Sequence, residues 1–206
     1  MLQLSYFCPL TQNQIIIMKI NKKLIVFTII LVALATACKF FFGPELAWSG
    51  FSPVIAIALF AGFIMKQKDM SFLLPLAALF ISDAVIQLLY TQDLFPYAGF
   101  YGGQWKNYLV LLAAVLIGWG LKGKKLSGIF GGAIIAPTVF FVISNTMVWM
   151  AATEVVYAKS FTGWLTCLEA GLPFYRNSLI ATMVFLPVIL FAFNYMTKKK
   201  VEITLA

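Results

Sequence analysis

Asp83 stands inside the apolar run Phe72 to Tyr90. A carboxylate on a membrane helix costs about 2.5–3.5 kcal/mol near the bilayer centre, so it faces a partner or a water-filled cavity. That makes Asp83 the first candidate for contact with a bound solute. The structural alternative is a carboxylate that ties helices together through Ser82, Asn145 or Thr residues. Asn145 and Trp149 stand at i and i+4 of a later run, hence on one helix face and one turn apart. An amide beside an indole suits a flat polar ligand; as structural residues the two would be an interhelical hydrogen bond and an interfacial belt aromatic. Arg176 and Asn177 complete the set at the start of the last run. Arg176 is placed to pair with Asp83, with Glu169 or with an anionic ligand, or to anchor the chain at the interface. Asp83 and Arg176 have no nucleophile or metal-ligand set beside them. The chain has no His and only three scattered cysteines, Cys8, Cys38 and Cys167, which removes the usual zinc, haem and imidazole-based designs. These residues point to binding, not catalysis, with no metal and no cofactor.

The elements that must position them follow from composition. Of 206 residues 62% are hydrophobic and 11% charged, against about 25% charged in an ordinary soluble domain, so the chain is an integral membrane protein. At about 20 residues per span it has room for about six spans and no separate soluble catalytic domain. Six apolar runs are bounded by charge, Gly or Pro: Leu24 to Phe42, Phe51 to Met65, Phe72 to Tyr90, Tyr108 to Leu121, Ile129 to Ala152 and Leu179 to Met196. None alternates with period two, so all are helices, and the predicted fold is an all-α polytopic membrane protein with six transmembrane helices. Runs two and four are short. Pro53 falls near a helix start, and Pro75, Pro137 and Pro187 fall inside helices, where they predict kinks.

Charge sets the orientation. Lys19, Lys22, Lys23, Lys66, Lys68, Lys122, Lys124, Lys125 and Lys198 to Lys200 all fall at alternate ends of the runs, and the opposite ends hold Lys39, Lys106, Lys159 and Arg176 against Glu45, Asp93, Glu154 and Glu169. Both termini are therefore expected in the cytoplasm, and the net charge of +8 needs no nucleic acid. Residues 1–17 read as a non-native or disordered extension, with Met18-Lys-Ile-Asn-Lys-Lys23 as a second candidate start. Residues 18–200 form one membrane domain, and 201–206 a cytoplasmic tail. Ala35-Thr-Ala-Cys38 is a poor lipoprotein cleavage box, and Phe40 to Phe42 continue the apolar run past it.

Gly118, Gly120 and Gly123 spell G-x-G-x-x-G, and with Lys124 a partial phosphate loop, but no strand precedes them and Lys125 stands where Ser or Thr is needed. They read as a helix end, while Gly128, Gly131 and Gly132 are expected to let the fifth helix pack closely. Between the last two runs, Phe161, Trp164, Leu165, Leu168 and Leu172 recur at helical spacing, which predicts a short amphipathic helix on the outer interface. The aromatic segments Phe42 to Pro53 and Tyr97 to Trp105 are placed to cover an outer cavity. Polar candidates gather on that side, which predicts a pocket opening outward.

Phe51-Ser-Pro-Val-Ile-Ala-Ile-Ala-Leu-Phe-Ala-Gly62, Pro75-Leu-Ala-Ala-Leu-Phe-Ile-Ser-Asp83, Ser144-Asn-Thr-Met-Val-Trp149, Thr162-Gly163 with Cys167, and Pro173-Phe-Tyr-Arg-Asn-Ser178 together resemble an uncharacterised family of bacterial six-span membrane proteins, over residues 24 to 195. That family in turn resembles the substrate-binding S components of energy-coupling-factor (ECF) vitamin transporters. The resemblance implies an S-component-like fold in the bacterial inner membrane and a small-molecule site near the outer face. It also implies coupling through a transmembrane scaffold to cytosolic ATPase subunits, with Ala33 and Ala37 as the docking surface. The family pattern has an acidic residue shortly after Arg-Asn-Ser, where this chain has Ala181 and Thr182, so its ligand differs or is absent. The alternative is a non-transporting scaffold or assembly protein without ligand.

Overall fold

The computed structural model describes residues 22–65, 68–122 and 126–197. The extension 1–17, Met18, the tail 201–206 and Lys19, Lys66, Lys124, Lys125 and Lys198 to Lys200 lie outside them. Six α-helices follow one another: α1 (Lys22–Phe42), α2 (Val54–Ile64), α3 (Lys68–Thr91), α4 (Trp105–Gly120), α5 (Leu126–Ala151) and α6 (Phe161–Thr197), with one 3-10 turn, Leu46–Trp48, between α1 and α2. The apolar runs become helices and the charged or Gly/Pro-rich segments between them become connections.

The centre of the bundle is α2. Its residues Val54 through Gly62 are all buried, as expected of a helix that is apolar all round. It contacts α3, α4, α5 and α6, and Phe60 meets Phe27 of α1 and Phe193 of α6. Against α4 the approach is close. A Cβ on Gly118 would lie 2.5 Å from the Leu59 carbonyl oxygen and 3.0 Å from the Gly62 Cα, so the helices cross where both lack a side chain. Gly118 is thus a packing residue. Gly132 faces the Leu121 side chain, but Gly131 faces open space, which corrects its expected role in close packing.

Four helices, α1, α3, α5 and α6, are long and apolar enough to cross a membrane, fewer than the six expected. At 1.5 Å per residue, the 11 residues of α2 and 16 of α4 reach only about 16 and 24 Å of a ~30 Å hydrocarbon core. The connections before these two helices, 43–53 and 92–104, are largely exposed but pack across the end of the bundle above their starts, with Gly50 against the α6 backbone at Phe174. Gly99 lies against the α3 backbone at Asp83 and Gln87, well before the end of α3 at Thr91.

The short outer helix is also corrected. Phe161 to Leu172 is the first part of α6, a continuous helix of 37 residues with Pro173 and Pro187 inside it. This segment stands along α5 and does not form a separate element. The packing face is a stripe of small buried residues: Cys167 and Gly171 lie against α5 at Asn145 and Phe141, and Gly163 against the Ala158 backbone of the connection that follows α5, with Trp164 Nε1 donating to Thr146 Oγ1 at 2.9 Å. Phe161, Leu165 and Leu172 point away and are exposed. Small residues at spacing four let two backbones approach, and that stripe prevails over the larger apolar one.

At the far end of the bundle Lys68 and Lys122 flank the Trp119 ring at 5.7 and 5.9 Å. Lys122 also donates to the Met65 carbonyl at 2.7 Å, satisfying one of the open carbonyls at the end of α2.

Candidate functional site

Because α2 and α4 start low, a recess remains above them. It is a cavity of about 530 Å³, within the size range of small-molecule pockets. Its walls are the last turn of α1 and the middle of α3, α5 and α6. The segments 42–52 and 97–104 complete the lining, the two aromatic segments expected to cover a cavity.

The polar heart of this wall is Asp83, which is fully buried while the Lys39 side chain is 24% exposed. Lys39 of α1 forms an ion pair with Asp83 Oδ1. On Oδ2, Gln104 donates from Nε2 at 2.5 Å and Tyr108 donates from its hydroxyl. Gln104 also bonds the connection that carries it: its Nε2 donates to the Gly99 carbonyl at 3.1 Å, and its Oε1 accepts from the Tyr101 N–H at 3.1 Å. Nearby, Gln87 Oε1 accepts from the Phe100 N–H at 3.0 Å. One carboxylate thus holds α1, α3, α4 and the 92–104 connection together. A charge this deep is tolerable only when paired and hydrogen-bonded.

Aromatic rings share the remaining surface with aliphatic and small side chains. Phe141 of α5 and Tyr175 of α6 stack at 4.8 Å with 28° between their planes, fixed by the 2.9 Å hydrogen bond between Tyr175 and Thr138 hydroxyls. Phe42, Trp48 and Phe51 pack edge to face or tilted at 5.1–5.7 Å. Tyr97 closes another side against Gly43, and burial pushes its phenol above the ordinary tyrosine value.

The residues singled out from the sequence separate here. Asp83 and Asn145 line the cavity; Trp149, Arg176 and Asn177 do not. Asn145 Nδ2 donates to its own helix at Phe141 O, 2.9 Å away, and its Oδ1 lies against Gly171. Trp149 donates from Nε1 to Ala158 O at 2.9 Å, and the Lys159 ammonium sits 5.5 Å from its ring centroid while capping α5 at Trp149, Met150 and Ala152. Asn177 is buried and donates to Ala47 O and Ser49 O at 2.8 and 2.9 Å, clamping the 43–53 connection onto α6. Arg176 is exposed. Cys38 lines the cavity, and Cys167 donates to Asn145 O at 3.4 Å; both are free thiols. On α1, Ala33 is exposed and Ala37 half-buried.

Lys39, Gln104 and Tyr108 are the functional candidates that sequence reasoning missed. For Lys39 a signal existed: it is an ammonium flanked by Cys38 and Phe40 within an apolar run, and an ionisable residue there calls for a partner. Among the described residues, no three His, Cys, Asp or Glu converge to hold a metal ion. The cavity can therefore hold a mostly apolar molecule against aromatic walls, with a small polar patch to orient it.

A family model described as a family of unknown function, DUF6580, matches residues 18–204. Neither the curated proteins nor the solved structures give a match.

Proposed function

The chain belongs to the DUF6580 family and, that family's function being unknown, we propose from the site itself that the protein is a membrane-embedded small-molecule binding subunit of a transporter. The observation that carries this reading is the aromatic-walled cavity of about 530 Å³ with a polar patch at Lys39 and Asp83. A helical bundle gains no packing from such a recess; a ligand-binding protein needs one.

Orientation supports the same reading. Lys23, Lys68 and Lys122 stand at helix ends away from the cavity, so the basic-side rule turns the cavity outward from a bacterial inner membrane and leaves both termini cytoplasmic. An ECF S-component-like capture subunit would use this orientation, with a transmembrane scaffold and ATPase subunits as partners meeting the α1 face at exposed Ala33 and half-buried Ala37. The protein is then a binder and not an enzyme.

A second reading is favoured by one observation: Asp83, Asn177 and Trp149 all direct their polar groups to the protein itself. A non-transporting scaffold or assembly protein without ligand would do the same. Gentle purification from the native membrane, with identification of co-purifying proteins and extraction of bound small molecules, separates the two. ATPase subunits with a scaffold, or a retained metabolite, support the transport reading. Neither, under conditions that preserve known membrane complexes, moves the assignment to the scaffold.

A further inference from the structure

The charges of the cavity wall restrict what can bind. Among the described residues, its formally charged side chains are Lys39 and Asp83, and these neutralise each other. Asp83 already accepts from Lys39, Gln104 and Tyr108, so it has little left for a ligand. Lys39 differs: an ammonium has three donors, the Asp83 contact uses one, and the side chain is partly exposed. Asn107, also a lining residue, donates from its Nδ2 to the Tyr101 hydroxyl at 2.7 Å, and its carbonyl oxygen is an acceptor.

A cationic ligand would have to displace Lys39 from Asp83. An anionic one would compete with Asp83 for Lys39 and lie near a like charge. Both would bring an uncompensated charge into a largely apolar site, which is costly. A carbonyl oxygen can accept from Lys39 while the ion pair stays intact, and an amide N–H can donate to an uncharged acceptor of the lining such as the Asn107 carbonyl. The stacked Phe141 and Tyr175 rings offer a flat apolar face for the remainder.

Resting on the binding reading above, we propose that the ligand is an uncharged, flat, mostly apolar molecule carrying a carbonyl of amide or lactam type, oriented by Lys39 and stacked on the aromatic wall.

The test uses Cys38, which lines the cavity, as the reporter thiol in a C8S/C167S background. The protein is held in nanodiscs, and the rate of maleimide labelling is followed. Four probes share one ring system: 2-naphthamide, 2-naphthoate, protonated 2-naphthylmethylamine and 2-methylnaphthalene. The amide is expected to protect Cys38 at concentrations at least about tenfold lower than either charged probe, and lower than the hydrocarbon. In K39M/D83N, which removes both charges together, the lead of the amide over the hydrocarbon disappears. The ranking in the parent protein decides the matter even where that double variant does not fold. A charged probe that protects best, or a hydrocarbon equal to the amide, overturns the ligand class and leaves cavity binding standing. Because Cys38 is itself buried, the same probes are also followed by thermal unfolding of the unlabelled protein; no protection and no rise in melting temperature with any probe overturns the binding reading as well.

Discussion

Lys39 and Asp83 form an ion pair between α1 and α3, two helices that are not consecutive in the chain, and the Asp83 end of the pair is sealed from solvent while the Lys39 end opens on the cavity. The asymmetry sets the cost of breaking it. K39M leaves a buried carboxylate without its counter-charge and should destabilise by about 3–5 kcal/mol. D83N leaves an ammonium that can still reach water in the cavity, so its loss is smaller. K39M/D83N should recover much of the K39M loss, because no charge is then stranded. A double-mutant cycle on thermal unfolding in detergent measures the coupling; additive single effects would show that the pair contributes nothing.

Gly118 and Gly62 set the α2–α4 distance through backbone contact, and backbone atoms cannot rotate aside. G118A should therefore behave as overpacking, with a loss of about 1–3 kcal/mol. G131A, whose Cβ would enter open space, should be neutral or slightly stabilising, since Ala is the better helix former. Melting temperatures of the two variants side by side check the contrast. Equal losses would contradict the crossing.

How much of this was legible in the sequence depends on what each feature rests on. The ends of α1, α3 and α5 follow from apolar runs that stop at charged or Gly-rich segments, which is local information. The shortness of α2 and α4 was visible for the same reason, but not its consequence, because the recess depends on 43–53 and 92–104 packing across the bundle end against α6 and α3. The continuation of α6 through Phe161 to Leu172 was missed because large apolar side chains dominate a periodicity reading, whereas Cys167 and Gly171 close the α5–α6 contact, and Gly163 the contact with the connection at Ala158, by being small. Asp83 was legible because a carboxylate in an apolar run needs an explanation. Its partners were not: Lys39 was absorbed into the charge balance of one membrane face, and Gln104 reaches Asp83 only because Gly99 brings its connection against α3.

Asn177 is the tie between α6 and the connection that closes one side of the cavity. N177A would remove the two hydrogen bonds to the carbonyls of Ala47 and Ser49, a loss of about 1–3 kcal/mol at about 0.5–1.5 kcal/mol for each bond. The effect should be local. Maleimide labelling of Cys38 in the C8S/C167S background should accelerate several-fold, because the 43–53 connection opens before the bundle unfolds. An unchanged labelling rate in a destabilised variant would mean that this connection does not control access to the cavity.

Tyr175, Arg176 and Asn177 are consecutive on α6 and point three ways: into the cavity, outward, and under the 43–53 connection. Each helical residue turns by about 100° from the last, so neighbours in a motif that looks continuous in the sequence have unrelated tasks. R176Q should leave stability within about 0.5 kcal/mol, as for exposed positions without partners, and should leave Cys38 labelling and its protection by 2-naphthamide unchanged. Y175A removes one half of the stacked platform with Phe141 and the hydroxyl bonded to Thr138, so protection by every naphthalene probe should weaken together, by roughly five- to tenfold for an aromatic contact of about 1–1.4 kcal/mol. The comparison discriminates because the two residues are adjacent and share any disturbance of the helix. If R176Q weakens protection by the anionic probe selectively, Arg176 reaches the cavity in solution, and the neutrality of the site, with the ligand class drawn from it, fails.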